Sequence, residues 1–411
     1  MREMHDEILA ARERIRGRVR ETPVLLSTVL SEVAGAPVML KCENLQRTGS
    51  FKPRGAMNML ATLSPPAAVV TASAGNHAQG VALAASEFGL SATVVMPRTA
   101  PIAKQHATAG YGAAVELVDG TLADAIQRAE AIASERGLVF VPPFDHPLIV
   151  SGQGTLGLEV LEQEPDVRCV LVPAGGGGLL AGVAAAVKSV RPDVRIVGVQ
   201  TAAMPGIVRS LEAGAPVAAP AVRTLADGAA VAGPSALTLD LIRRHVDEVV
   251  TVSEEAIAQA IVLLMERSRL VVEGAGALTT AAILGGAVTD PGHTVCVVSG
   301  GNIDLNVLGR VSARGLVLAG RHRTLTVAAA NTPGELARVT SAIAEAGANI
   351  LEVRHDLVTA DLPVAVARIT FRLEVADPAA FDHLLRSLME GGLVAGVATD
   401  LSTPAAAETP H

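Results

Sequence analysis

The chain has 411 residues, half of them hydrophobic, with a formal net charge of −8, six Phe, one Tyr and no Trp. A shortage of cations and stacking rings excludes an ordinary nucleic-acid binder, which needs basic patches and aromatic platforms. The length exceeds one core and predicts two or three domains, and the Ala-, Val-, Leu- and Gly-rich composition supplies material for buried parallel strands.

Residues 1–20 alternate acids with arginines and hold no apolar run, so no signal peptide is expected and a cytoplasmic location is. Cys42, Cys169 and Cys296 are far apart, odd in number and set in apolar runs, which predicts buried thiols and no metal site. An amphipathic helix is expected over 6–19, stopping before Thr22-Pro23. A strand over 38–41 leads to Ser50-Phe51-Lys52-Pro53-Arg54-Gly55-Ala56. Further strands are expected at 68–71, 92–96, 114–117, 139–141, 170–172, 196–199 and 294–298. Between them helices are expected at 77–88, 100–109, 122–136 and 151–163, with another before residue 196. This alternation predicts an α/β region of parallel sheets covered on both faces, with sites at the carboxyl ends of strands.

The uncharged span from Cys169 to Val187 approaches the length of a membrane helix. Pro173 and the run Gly175-Gly176-Gly177-Gly178 would break one, so strand, glycine loop and helix are expected, with no membrane partner. Near residue 312 the pattern changes. A connection over 312–323 precedes a strand at 325–330, a helix at 333–346, strands at 350–357 and 364–375, a helix at 379–389 and a strand at 393–398. This βαββαβ order predicts a separate domain over 324–400. The Ala-, Pro- and Thr-rich residues 401–411 read as a disordered tail.

Four stretches carry candidate chemistry. Lys52 sits between Phe51 and Pro53 at a helix start, either as a snorkelling side chain or as an amine whose pKa is lowered by apolar surroundings. Gly175–Gly178 follow a strand and open a helix, where backbone N–H groups can take an anion, although a tight turn needs no ligand. The run lacks the Gly-Lys-Ser/Thr ending of a nucleotide-binding loop and the spacing of a dinucleotide loop. Ser73-Ala74-Gly75-Asn76-His77-Ala78-Gln79 also ends a strand and reads as ligand contact or as an elaborate N-cap. Ser299-Gly300-Gly301-Asn302 ends another strand as a turn or a contact.

Together these segments, in this order, resemble the fold type II pyridoxal-phosphate enzymes of the serine/threonine dehydratase group, over residues 5 to about 311. The resemblance implies two parallel-sheet lobes within a catalytic region 1–311, the smaller lobe (roughly 50–150) inserted in the larger. It implies that Lys52 is the Schiff-base lysine and catalytic base, with Phe51 beside it. Asn76 would bond the 3'-oxygen of pyridoxal 5'-phosphate, Gly175, Gly176, Gly177 and Gly178 would cradle its phosphate, and Ser299 would face its ring nitrogen. Ser73, Ala74, Gly75, His77 and Gln153 would contact an amino-acid substrate. Gly152-Gln153-Gly154-Thr155 and Glu273-Gly274-Ala275-Gly276 match further family segments near the site. The implied reaction is that of a threonine ammonia-lyase: threonine, and serine more weakly, deaminated by β-elimination.

Two departures bear on that expectation. Related serine racemases carry a serine before Gly-Asn-His as a second base, and here that position is Ala74, so racemisation is expected to be minor. Their metal-binding acids have no counterpart in Gln200-Thr201-Ala202-Ala203-Met204-Pro205-Gly206, so no metal is expected. A threonine or cysteine synthase would keep the same lysine and loop, and a non-enzymatic amino-acid sensor would explain only the C-terminal unit. That unit resembles an ACT domain, which implies an amino-acid effector at Pro333, Gly334, Glu335, Leu336, Asn349 and Ile350. It also implies assembly into a homo-oligomer, a dimer or tetramer.

Overall fold

The computed structural model describes residues 2–357, 363–376 and 378–397. The chain divides into two compact units between Asp304 and Leu305.

The first unit holds ten strands: β1 (Val24–Leu26), β2 (Val38–Cys42), β3 (Ala68–Ala72), β4 (Ser91–Pro97), β5 (Ala114–Val118), β6 (Val139–Phe140), β7 (Cys169–Pro173), β8 (Arg195–Thr201), β9 (Glu248–Val252) and β10 (Thr294–Val298). They form two sheets, one for each lobe. The larger runs β1-β2-β10-β7-β8-β9 and is parallel except for the short edge strand β1; the smaller runs β5-β4-β3-β6 and is parallel throughout. Every residue of β7 and β10 is buried, as unbroken apolar runs in a sheet covered on both faces must be. Two of the main apolar cores correspond to the lobes: one gathers Met57, Leu60, Val69, Val81 and Met96, the other Val170, Leu180, Val183, Ile196 and Val297. The uncharged span beginning at Cys169 is β7, the glycine loop and the helix Gly178–Val190. Among the described residues no helix is long and apolar enough to cross a membrane.

The N-terminal helix is Arg2–Ile15 rather than 6–19, because Gly17 takes a left-handed φ of 72° and ends it well before Pro23. The stretch between β8 and β10, which the sequence left unassigned, holds four helices of 8 to 15 residues, including Ala236–His245 and the wholly buried Gly274–Leu284.

The second unit begins with a helix, Leu305–Leu318, so residues 312–318 are helical where a free connection over 312–323 was expected. Then come β11 (His322–Ala330), the helix Glu335–Glu345, β12 (Asn349–Asp356), β13 (Val366–Glu374), the helix Pro378–Glu390 and β14 (Val394–Val397). The antiparallel sheet runs β12-β13-β11-β14, and its core gathers Leu325, Val339, Ile369, Phe371, Phe381 and Leu384. The tail expected over 401–411 lies outside the described residues.

Candidate active site

Four strand ends converge on one cavity of about 450 Å³. The carboxyl end of β3 delivers Ser73 to His77, that of β7 the glycine loop, that of β10 Ser299, and the chain after β2 returns through Phe51 and Lys52. Open parallel sheets place ligands at this edge because the loops leave there and helices begin there. Every catalytic-region residue singled out from the sequence lines this cavity: Phe51, Lys52, Ser73, Ala74, Gly75, Asn76, His77, Gln153, Gly175, Gly176, Gly177, Gly178 and Ser299.

Lys52 caps the helix Pro53–Leu60, with Pro53 at the first helical position, where the missing N–H is no loss. The Phe51 N–H donates to the Ser299 carbonyl at 3.1 Å and Ser50 bridges to Gly300, so the segment carrying Lys52 is stitched to the end of β10. The Lys52 ammonium donates to the Pro143 carbonyl at 3.0 Å and lies 5.1 Å from the Phe51 ring centroid. Burial lowers its pKa to about 8, with the Glu273 carboxylate pulling the other way. The other lysines, Lys41, Lys104 and Lys188, each hold a carboxylate, on Glu159, Asp227 and Asp247. Lys52 is the cavity amine whose near partner is a carbonyl.

Gly175–Gly178 lead into the helix Gly178–Val190, whose first N–H groups have no acceptor within the helix and point to its amino end. Gly177 has a φ of 90°, and a Cβ on Gly176 would lie 2.6 Å from the Phe144 ring, so this loop tolerates neither ordinary side chains nor a wider turn. Asn76 Nδ2 donates to Glu273 Oε1 at 2.7 Å, and Asn302 Nδ2 donates to Asn76 Oδ1 at 2.8 Å.

His77 lines the cavity, yet its Nε2–H donates to the Val141 carbonyl at 3.0 Å. Burial and then the Lys52 charge press its pKa down to about 3, so the ring stays neutral and holds structure rather than moving protons. Glu273 is the cavity residue that reading the motifs did not single out. It is 4% exposed, and burial, then Asp227, push its carboxyl up to about 7. The acid opening the segment Glu273-Gly274-Ala275-Gly276 was the available signal.

The family model for pyridoxal-phosphate dependent enzymes matches residues 15–300. The chain belongs to this family. As a pyridoxal-phosphate enzyme it takes that cofactor, and the donor set fits it: an amine in the cavity, a helix start bare of side chains for the phosphate, and an amide and a hydroxyl for the ring. The enzyme is 50% identical to the L-threonine ammonia-lyase of Geobacter sulfurreducens over 92% of this chain and 94% of that protein. It is 44% identical to the L-threonine ammonia-lyase of Thermotoga maritima, over 94% of this chain and 97% of that one. Among solved structures, a bacterial threonine deaminase (T.th.) matches with a TM-score of 0.70 and 42% identity, over 73% of this chain and 98% of that one. Maize serine racemase matches with a TM-score of 0.72 and 35% identity, over 76% of this chain and 98% of that one.

In the C-terminal unit a second cavity, of about 320 Å³, is lined by Asn331, Thr332, Pro333, Gly334, Glu335 and Leu336 together with His355 and Ile369. Four of the expected effector residues, Pro333 to Leu336, are therefore brought together. Asn349 and Ile350 are not in its lining. They begin β12 opposite Glu374 and Leu373, at the far end of that strand from His355, because the antiparallel register sets the loop after β11 beside the end of β12.

Proposed function

We propose that this enzyme deaminates L-threonine to 2-oxobutanoate and ammonia, and L-serine more slowly to pyruvate. The state of Lys52 carries the reading: an amine inside the cavity, shifted to about 8 and facing a carbonyl instead of a carboxylate. Such a group is partly neutral near physiological pH, as a base working on a carbon acid needs to be.

Bound pyridoxal phosphate supplies an electron sink conjugated to the substrate's α-carbon. The glycine loop holds its phosphate, Asn76 and Ser299 orient its ring, and Phe51 walls it beside Lys52. A hydroxyl at the ring nitrogen, where an aspartate would protonate it, keeps the sink weak and favours prompt loss of a β-substituent over a long-lived carbanion. The start of the helix Asn76–Phe88, with Ser73, Gly75 and Gln153, takes the substrate carboxylate. Lys52 Nζ removes the α-proton, the β-hydroxyl departs with a proton as water, and the enamine released takes up water and loses ammonia. Ala74 stands in the cavity wall with no transferable proton, which supports elimination over racemisation. One methyl group separates threonine from serine, and a pocket discriminates that by about 10–200-fold, so both react.

We also infer that the C-terminal unit is an ACT-like regulatory domain binding a free amino acid. The βαββαβ order and the cavity at Asn331–Leu336 support this.

The test is release of 2-oxobutanoate from threonine by the loaded enzyme and by Lys52→Ala. Activity in the first, lost at least about 1000-fold in the second, is expected. Turnover confined to acylated or phosphorylated substrates would mark a synthase instead.

A further inference from the structure

We propose that Glu273 is a positioning residue: with Asn302 it fixes the Asn76 carboxamide so that one N–H is left for the cofactor's phenolic oxygen, and its carboxylate sets the charge felt at that side of the ring. The proposal rests on the cofactor placement above and adds a residue to it.

An asparagine amide has two nearly equivalent orientations, and its neighbours decide between them. Asn302 spends both of its N–H groups as donors, one to the Thr48 carbonyl at 2.7 Å and one to Asn76 Oδ1 at 2.8 Å. Glu273 presents an acceptor to Asn76 Nδ2 at 2.7 Å. Turning the Asn76 amide over would set nitrogen against nitrogen and oxygen against oxygen, so both neighbours enforce the same choice. Of the polar atoms of Asn76, one N–H then remains for a ligand.

The surroundings are shaped around that carboxylate. A Cβ on Gly300 would collide with Glu273 Oε1, and one on Gly228 would come within 3.2 Å of it. The Glu273 N–H donates to the Gly300 carbonyl at 3.1 Å, tying the residue to the motif that carries Ser299 and Asn302. Ionisable groups reach Glu273 from three other elements. Lys52 lies at the start of the helix Pro53–Leu60, Lys104 on the helix Ile102–Gly110, and Asp227 on the turn Asp227–Ala229. Lys104 is already paired with Asp227 at 3.1 Å. The Glu273 carboxyl, raised to about 7 by burial and then Asp227, changes charge close to neutral pH. A negative charge there favours a protonated nitrogen at Lys52 and its loss disfavours one.

The experiment is a pH titration of the holoenzyme's visible absorbance in wild type, Glu273→Gln, Glu273→Asp and Asp227→Asn. In Glu273→Gln the midpoint for proton loss from the chromophore is expected to fall by about one pH unit, and Glu273→Asp to restore part of that shift. In Asp227→Asn, where the changed side chain is largely exposed, the near-neutral inflection due to Glu273 is expected to move to lower pH. A chromophore present in all variants with unmoved midpoints overturns the proposal, whatever the melting temperatures do. Should Glu273→Gln fail to fold, an unmoved inflection in Asp227→Asn overturns it alone. Absence of any visible chromophore in the wild type overturns the cofactor placement itself, a separate result.

Discussion

Lys52 and Arg54 are two residues apart, both cationic, and treated in opposite ways. The Arg54 guanidinium, fully buried, takes both oxygens of Glu43 at 2.8 and 2.9 Å and both of Glu159 at 2.6 and 2.8 Å, with Thr155 Oγ1 at 3.1 Å. Lys41, also fully buried, completes the cluster on Glu159 at 2.7 Å, the Thr22 carbonyl and Gln163. Burial opposes charge there, but the partners outweigh it: the Arg54 pKa is raised and the Glu43 carboxyl lowered. On the cavity side burial prevails, and Lys52 and Glu273 are both pulled toward neutrality. Saturated pairing turns buried charge into framework, whereas unsaturated pairing turns it into reactive groups close to neutral pH.

The comparison can be broken from either side. The largest effect on stability is expected from Arg54→Met, which strands two carboxylates in the interior. A loss of about 3–5 kcal/mol, read by denaturant unfolding of the cofactor-free protein, follows. A loss below about 1 kcal/mol would mean that the cluster is not framework.

A smaller effect of opposite sign is expected at the cavity. Because the folded pKa of Glu273 is raised from 4.5 to about 7, its contribution to stability is fully present below 4.5 and lost as pH rises through about 7. The shift corresponds to about 3 kcal/mol, so Glu273→Gln should stabilise the cofactor-free protein at about pH 8 and leave it nearly unchanged at about pH 4.5. The depressed pKa of His77 acts between about 3 and 6.5, where stability falls as pH falls, but equally in both proteins. Melting curves at the two pH values decide the matter.

Much of the fold was legible because parallel strands announce themselves as short apolar runs between helices. β7 and β10 are buried on both faces and could not be written otherwise. The stretch between β8 and β10 hid its helices for the same reason in reverse: Gly274–Leu284 is apolar all round and carries no helical period. β1 is three residues long, too short for a pattern. Gly309 and Gly315 inside the helix Leu305–Leu318 read as breaks, although helices tolerate glycine at about 1 kcal/mol each. In the site, residues adjacent in a motif were legible as groups. Glu273 is 197 positions from Asn76, and only folding brings the two together. The ring of His77 was legible in place but not in role, since the Val141 carbonyl that claims it lies 64 positions away.

The central claim is that Lys52, alone among the lysines in facing a carbonyl within the cavity, carries the cofactor. Borohydride reduction of the holoenzyme followed by peptide mass mapping tests it directly. A pyridoxyl adduct on Lys52 is the expected result. An adduct on Lys41, Lys104 or Lys188, with Lys52 unmodified, would contradict the account.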